Sequence, residues 1–366
     1  MFWCTINKLY RYIQALTVRS KLYRNLALTV FLCIVVGCHQ LQSSQVSEYG
    51  EPWYQRGVAR EVFLEQDVLP ALGTRPDFLE AVQPIQSEAN QEYSFINPLG
   101  EKVPLTILGL PEGGLPQRDA HPTGAASFEH EQTQNIAQKP LVIALHQTNE
   151  TGRREACRND QALDDMAYGN YFAAQGYVVV CPTLSFTGER QPTNHWDTTQ
   201  FYEQFSDWSA LGKDVQEVSW LIDALSATGF DLDDLCVLGH SQGAIYTLFA
   251  AALDERIQYA IANAGYVSFE EDPEPTRWSR DHWFKALPAI PTEFVFSEVV
   301  AAISPRPALI INYLNDTILF ATGPDEAIES MADYVPAIDW VFASGEHGWP
   351  IETKSLAASW LVDQYR

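Results

Sequence analysis

The fold of this chain is decided by one stretch, residues 235–250, which reads LCVLGHSQGAIYTLFA. A short apolar run with strand character precedes Gly239, and an apolar run with helix character follows Gly243. A serine between two glycines at such a strand-to-helix turn is typical of a nucleophile elbow, in which a strained backbone holds the hydroxyl out of the sheet. Ser241 is therefore the candidate nucleophile. The alternative is a glycine-containing turn whose serine has no chemical role.

Strand-like and helix-like segments alternate on both sides of this turn. Residues 141–146 form a continuous apolar run, as in a parallel strand that is buried on both faces. Further strands are predicted at 177–181, 236–238, 259–264, 308–314 and 338–343. Helices are predicted at 62–82, with interruptions at Pro70 and Pro76, and at 162–175, 209–228, 325–334 and 355–365. A hairpin is expected over 93–110, with its turn at 97–100. This alternation predicts an α/β fold with a mostly parallel twisted sheet and helices on both faces.

Residues 265–300 interrupt the alternation and are rich in aromatic side chains. An insertion here overhangs the carboxyl ends of the strands, where open α/β sheets bind ligands. We interpret it as a cap over the substrate pocket, and we expect Trp278 and Trp283 to contact the substrate. The alternative is that these aromatic residues only attach an extra helix to the body of the domain.

A serine hydroxyl needs a base to take its proton, and the base needs a carboxylate to orient it. In this architecture the chain order is serine, acid, histidine. Asp316 follows the predicted strand at 308–314, and His347 follows the strand at 338–343, so both project from the edge at which Ser241 lies. Asp325 and Glu346 are weaker candidates for the acid, and Asp316 has the alternative role of a turn residue.

The negative charge that develops on the substrate requires two hydrogen-bond donors. One candidate is the backbone N–H of Gln242, at the start of the helix after the turn. The second is the backbone N–H of Gln147, in the loop after the strand at 141–146, unless that segment is only a polar loop. We also expect His146, in the same loop, to contact the substrate.

The composition excludes some classes of protein and site. The chain has 366 residues, 46% of them hydrophobic and 12% aromatic, which is enough for a large core. A formal net charge of -24 argues against a nucleic-acid partner, whose phosphates would be repelled. No Cys-X-X-Cys pair or histidine-rich cluster indicates a metal site, and we expect no cofactor.

The N-terminal segment has the layout of an export signal. Residues 1–37 contain five basic and no acidic side chains, and a short apolar run leads to Gly37 and Cys38. Residues 35–38, VVGC, resemble the lipobox of bacterial lipoproteins, in which the cysteine becomes the lipidated first residue. We expect residues 1–37 to be the signal, 38–55 a tether and 56–366 the folded domain. The alternatives are an uncleaved anchor and an amphipathic segment lying on the surface.

The cysteines give no sign of a disulfide framework. After removal of the signal and lipidation of Cys38, three remain, Cys157, Cys181 and Cys236, at irregular spacing. Cys181 and Cys236 lie in predicted strands, so we interpret them as buried thiols, whereas Cys157 lies in a polar loop.

Taken together, four stretches resemble the α/β-hydrolase superfamily, and within it the branch of dienelactone hydrolases and acetyl xylan esterases. They are residues 144–149 (ALHQTN), 176–182 (GYVVVCP), 239–243 (GHSQG) and 304–311 (SPRPALII). The resemblance covers residues 93–366. In that branch the Pro-Arg-Pro run leads into the strand that carries the catalytic acid, which supports Asp316. Dienelactone hydrolases resemble cysteine-nucleophile enzymes, so a serine here implies an esterase.

The resulting hypothesis is an exported, membrane-anchored serine esterase that faces the periplasm or the exterior. It would cleave small-molecule or oligosaccharide esters, including acylated sugars, through an acyl-enzyme. One alternative is a serine peptidase of the prolyl-oligopeptidase type, although no propeller-like repeat is visible. The other is a non-catalytic, lipid-anchored binding protein that keeps the hydrolase scaffold.

Overall fold

A nine-stranded sheet forms the centre of the protein. The structure is a computed structural model, and it describes residues 52–73, 75–77, 80–88, 92–116, 140–158, 164–191, 197–266, 296–319 and 337–365. The strands are β1 (Gln86–Ser87), β2 (Glu92–Ile96), β3 (Lys102–Leu108), β4 (Leu141–Leu145), β5 (Val178–Pro182), β6 (Cys236–His240), β7 (Tyr259–Asn263), β8 (Ala308–Tyr313) and β9 (Ile338–Ala343). They lie in the order β1-β2-β3-β5-β4-β6-β7-β8-β9.

The larger part of this sheet is parallel, as predicted. Strands β4 to β9 pair in parallel with their neighbours, while β1, β2 and β3 are antiparallel and β3 joins the sheet antiparallel to β5. Every residue of β4, β6 and β8 is buried, which explains why these strands read as unbroken apolar runs. The predicted hairpin is confirmed as β2 and β3, with Gly100 at φ +76° in its turn.

Helices cover both faces of the sheet, because alternate residues of each buried strand point to opposite sides. Val237 and Ile310 belong to one apolar cluster, whereas Leu238 and Ile311 belong to the other. The described helices are α1 (Arg60–Phe63), α2 (Leu69–Leu72), α3 (Arg153–Ala156), α4 (Tyr168–Ala174), α5 (Thr199–Gln204), α6 (Ala210–Thr228), α7 (Gln242–Leu253), α8 (Phe296–Ala301) and α9 (Ile351–Gln364). A π-helical turn, Leu64–Val68, joins α1 to α2. Helices α6, α7 and α8 pack in the first cluster, and α4 and α9 in the second.

The helix bounds differ from the prediction where the chain carries its own stop signals. The helix predicted over 62–82 ends at Leu72, because Gly73 follows at φ +88°. The longest described helix, α6, starts where expected, because the hydroxyl of Ser209 accepts a hydrogen bond from the N–H of Gly212 at 2.8 Å. It ends where Gly229 adopts φ +101°. The predicted helix over 325–334 lies outside the described residues.

The folded domain begins earlier than residue 56. Trp53 and Tyr54, assigned above to the tether, are buried in the first apolar cluster. The backbone N–H of Trp53 donates to Oε1 of Glu298 at 2.7 Å, and its indole N–H donates to the carbonyl of Glu298 at 3.1 Å. The signal, Cys38 and the tether up to residue 51 lie outside the described residues. Of the helices that are described, none combines the length and apolarity needed to cross a bilayer.

The cysteine prediction is wrong at one point, because Cys157 and Cys181 form a disulfide with their Cα atoms 6.1 Å apart. The bridge joins the end of α3 to β5. Gly169 of α4 makes room for it, since a Cβ atom there would overlap the sulfur of Cys157. Sequence spacing could not reveal this pair, because the β4–β5 crossover brings the two residues together. Cys236 remains a buried free thiol, and burial raises its pKa.

The topology brings the candidate site residues to the carboxyl ends of β4 and β6. From β4 the chain moves outward to β5, and it then returns to the other side of β4 to form β6. Strand order therefore reverses between β4 and β6, and ligands in open α/β sheets bind at the carboxyl ends of strands at such a point. Gln147 follows β4 and Ser241 follows β6.

Candidate active site

Ser241 occupies a strained turn between β6 and α7. Its backbone has φ +54° and ψ -120°, a conformation that residues other than glycine rarely adopt. Both neighbouring glycines are required, since a Cβ atom at Gly239 would overlap the backbone of Gly243, and one at Gly243 would overlap the carbonyl of Leu145. The N–H of Ser241 donates to the carbonyl of Asn263 at 2.9 Å, which ties the turn to β7.

His347 and Asp316 are in direct contact at the same edge. Nδ1 of His347 lies 2.7 Å from Oδ2 of Asp316, and Oδ1 of Asp316 accepts from the N–H groups of Ile318 and Leu319 at 2.8 and 2.9 Å. Burial alone would raise the pKa of Asp316, but the hydrogen bond and charge of His347 and these two N–H groups together lower it. Asp316 is thus an ionised carboxylate that holds one imidazole nitrogen.

The competing acids are less well placed. Glu346 is exposed, whereas Asp316 is buried beside the imidazole. Asp325 lies outside the described residues. Within the described ranges, no three His, Cys, Asp or Glu side chains group as metal ligands do.

Ser241 and His347 are brought to the same edge through their neighbours. The ring of His240, directly before Ser241, lies 4.8 Å from the ring of His347, centre to centre. The hydrogen bonds among the described residues do not include one from the hydroxyl of Ser241 to His347. Catalytic hydrogen bonds are often long before substrate binds and tighten in the complex.

Asn263 connects the serine turn to the histidine loop. Its carbonyl accepts from Ser241, and its side-chain amide donates to the carbonyl of Gly348 at 2.9 Å, one residue beyond His347. Its Oδ1 accepts from the hydroxyl of Tyr313 at 2.8 Å. The sequence analysis missed this residue. The only available signal was a polar side chain at the end of an otherwise apolar strand.

His240 has a structural place within the elbow. Its ring is fully buried, and Nδ1 lies 2.8 Å from the side-chain nitrogen of Asn263. Burial, together with the nearby charge of His347, lowers the pKa of His240 to about 3. The imidazole therefore stays neutral at physiological pH.

The two candidate oxyanion donors lie on adjacent segments. A Cβ atom at Gly243 would meet the carbonyls of Leu145 and His146, so the loop after β4 and the first turn of α7 are in backbone contact. The hydroxyl of Thr148 donates to Oε1 of Gln242 at 2.9 Å and holds the two segments together. Among the described residues, no backbone partner accepts from the N–H of Gln242.

The prediction that His146 contacts the substrate is wrong. Its side chain is fully buried, with Nδ1 2.7 Å from the carbonyl of Gln147. Nε2 accepts from the N–H of Leu184 at 3.0 Å. Both ring nitrogens thus serve to fix the loop after β4 against the loop after β5. Trp278 and Trp283, with most of the predicted cap, lie outside the described residues.

Several solved structures are similar to this chain. A glucuronoyl esterase of carbohydrate esterase family 15 from Caldicellulosiruptor kristjansonii is 17% identical, with a TM-score of 0.55, over 84% of this chain and 83% of that one. A promiscuous esterase of the same family from a marine bacterial metagenome is 15% identical, with a TM-score of 0.57, over 85% and 92%. A Bacteroides fragilis protein assigned to the acetyl xylan esterases is 14% identical, with a TM-score of 0.54, over 85% and 87%.

Sequence comparison adds nothing to this likeness. No protein-family model matches the chain, and no curated protein matches it in sequence. At such low identity the similar structures establish the fold and leave the chemistry to be argued from the residues.

Proposed function

We propose that this chain, whose fold is that of the α/β-hydrolases, is a serine esterase that hydrolyses carboxylic esters through an acyl-enzyme intermediate. One observation carries the proposal. A serine in a strained strand-to-helix turn lies at the same sheet edge as a histidine whose Nδ1 is 2.7 Å from a buried carboxylate. If Ser241 had only a structural role, the contact between His347 and Asp316 at this edge would not be required.

In the proposed reaction, Oγ of Ser241 attacks the ester carbonyl while Nε2 of His347 takes its proton. Asp316 holds the Nδ1 proton and stabilises the imidazolium that forms. The oxyanion accepts hydrogen bonds from the backbone N–H groups of Gln147 and Gln242, each contributing about 3 kcal/mol in the transition state. The alcohol leaves with the proton from His347, and a water molecule activated by the same imidazole releases the acid.

We propose acylated carbohydrates as the substrate class. Support comes from the structures of similar fold, which include glucuronoyl esterases and a protein assigned to the acetyl xylan esterases. We also propose that the chain is exported and held at a membrane through a lipid on Cys38. The disulfide between Cys157 and Cys181 supports an oxidising compartment, since such bridges persist mainly outside the cytosol.

The test compares the wild type with Ser241→Ala on aryl acetates, acetylated oligosaccharides and peptides. We expect Ser241→Ala to lower kcat for ester hydrolysis by about 10⁴-fold or more, because a triad acts as a unit. Ser226→Ala, at an exposed serine of α6, is the matched control and should keep full activity. A fluorophosphonate probe should label the wild type and the control but not Ser241→Ala.

Two results would contradict the proposal. Peptide cleavage without ester cleavage would identify a peptidase on the same triad. Equal ester hydrolysis by wild type and Ser241→Ala, or no labelling of the folded wild type, would remove the mechanism and favour a non-catalytic binding protein.

A further inference from the structure

A cavity of about 370 Å³ opens beyond the carboxyl end of β5. Its wall includes Phe186, Phe201 and Phe205, together with the amide side chains of Gln200 and Gln204. Phe186 follows β5 by four positions, and the other four residues lie on or next to α5. Glu101 and Lys102, at the start of β3, also line it, as expected because β3 runs antiparallel to β5.

This cavity lies at the same edge of the sheet as the candidate active site. Strands β5, β4 and β6 are consecutive neighbours, and adjacent strands lie about 4.8 Å apart. The ends of β5 and β6 are therefore about 10 Å apart in the plane of the sheet. Two or three linked sugar rings are long enough to span this separation of the strand ends.

Backbone strain supports a functional role for this wall. Phe186 has φ +63°, a conformation that is a genuine outlier for a bulky residue and costs about 1–3 kcal/mol. Among the described residues, the other non-glycine residues with positive φ are Ser241 and Ala264, which follow β6 and β7. All three lie at the carboxyl edge of the sheet, and such strain collects at functional sites.

Two of the cations that line the cavity, Lys213 and Arg190, are already paired within the protein. Nζ of Lys213 donates to Glu101, Ser185 and Glu217, each at 2.7 Å, which uses all three of its protons. Arg190 binds both carboxylate oxygens of Glu217, at 2.6 and 2.7 Å. Because Lys213 and Arg190 are already paired, the wall favours a neutral ligand over a charged one.

The remaining groups fit a polyhydroxylated ring. Gln200 and Gln204 are exposed and lie one helical turn apart on α5, so they share a face of that helix. Neither amide is hydrogen-bonded to another described residue. Each offers a donor and an acceptor, as a pair of sugar hydroxyls requires. The rings of Phe201 and Phe205, with centres 5.5 Å apart, offer the apolar surface against which the C–H face of a sugar packs.

We infer that this cavity is a subsite for a neutral sugar unit of the ester substrate, an inference that rests on the proposed esterase function. It gives the enzyme a hold on the carbohydrate beyond the end of β5, away from the bond that is cleaved. Such remote contacts select substrates by the sugar they carry, while an ester that lacks the sugar reaches Ser241 without using them.

The double variant Gln200→Ala/Gln204→Ala tests this inference, with Glu203→Ala as the matched control on the same helix. Glu203 is exposed and does not line the cavity, so neither variant disturbs the core. We expect the double variant to raise KM for acetylated oligosaccharides at least fivefold and to leave kcat/KM for p-nitrophenyl acetate within twofold. Glu203→Ala should match the wild type on both substrates.

Binding is measured separately in the Ser241→Ala background, by calorimetry with unesterified xylotetraose, mannotetraose and cellotetraose. At least one should bind, and the double variant should weaken that binding at least fivefold. Lack of ester hydrolysis by the wild type would overturn the esterase proposal but not a sugar-binding cavity. Normal hydrolysis, with equal KM in the double variant and in Glu203→Ala or with none of the three sugars bound, would overturn the subsite.

Discussion

At the scale of single residues, His240 affects both the candidate active site and the stability of the fold. It occupies the position directly before the candidate nucleophile, yet its ring is sealed from water and lies 4.8 Å from the imidazole of His347. Two protonated imidazoles at this distance would repel each other. A neutral His240 avoids this repulsion beside the proposed base, His347.

We expect the buried His240 to make the protein sensitive to acid. The pKa of a histidine is about 6.5 in an unfolded chain, whereas that of His240 in the folded protein is about 3. Between these pH values the unfolded state binds one more proton, so the free energy of unfolding falls as pH drops, by up to about 1.4 kcal/mol per pH unit. Urea denaturation between pH 7 and pH 4.5 measures this slope; Asp316, whose pKa is lowered, stays ionised in that range.

The matched variants are His240→Gln, which removes the group, and His39→Gln, which removes a histidine from the predicted tether. The slope should become shallower in His240→Gln and stay unchanged in His39→Gln. An identical slope in all three proteins would show that protonation of His240 does not contribute.

Among the elements, β7 connects the nucleophile turn to the histidine loop. Its last residue, Asn263, accepts from the nucleophile turn, donates to the histidine loop and receives the hydroxyl of Tyr313 from β8. A single residue therefore links the two loops, through its backbone carbonyl to Ser241 and through its side-chain amide to Gly348. Asn263 does not touch the reacting atoms, so it is a positioning residue for the proposed reaction.

We expect Asn263→Ala to lower kcat by about 10- to 100-fold with little change in KM, because a displacement of about 1 Å at a reacting group has this effect. Steady-state kinetics on an aryl acetate measures both constants. Tyr313→Phe is the control: it removes one hydrogen bond to Asn263 and keeps the contacts to Ser241 and Gly348, so kcat should fall less than threefold.

Thermal unfolding of both variants separates positioning from loss of structure. A similar fall in kcat for Asn263→Ala and Tyr313→Phe would argue against a specific role for Asn263. A rise in KM with unchanged kcat would place its effect on substrate binding.

Strands were easier to predict than helices and loops. Strands β7 and β8 differ from their predicted bounds by one residue, because strands inside a parallel sheet are apolar throughout. Strand β9, at the edge of the sheet, matches its predicted bounds. Helix α4 starts at Tyr168 instead of residue 162, since helix starts depend on capping contacts. The contact of His347 with Asp316 followed from chain order and strand position. The roles of His146, Asn263 and Cys157 depend on packing between distant segments, which one sequence does not display.

At the scale of the whole molecule, the candidate active site lies at one edge of the sheet, and the proposed signal and anchor lie in the N-terminal segment, outside the described residues. The sequence of residues 35–38 remains the basis for the anchor. A lipid on the mature N-terminus would keep an enzyme for large carbohydrates at the cell, close to the products that the cell takes up.

We expect Cys38→Ser to release the protein from the membrane fraction of a bacterial host and to abolish incorporation of labelled palmitate. Cys33→Ser, in the apolar run upstream of the lipobox, is the matched control and should leave both unchanged. Fractionation followed by immunoblotting measures the distribution. Continued membrane association of Cys38→Ser without palmitate would identify an uncleaved anchor instead.

The bridge between Cys157 and Cys181 closes a loop across 24 positions of sequence, which in the chain-entropy account is worth roughly 3 kcal/mol. That loop includes α4, whose Tyr168 hydroxyl lies 2.8 Å from the carbonyl of Leu145 and 3.1 Å from Oε1 of Gln147. Protein produced in a reducing cytosol, without this bridge, would therefore be less stable than the same polypeptide folded in an oxidising compartment. Two preparations with identical sequences would differ in their free energy of unfolding according to whether Cys157 and Cys181 are oxidised.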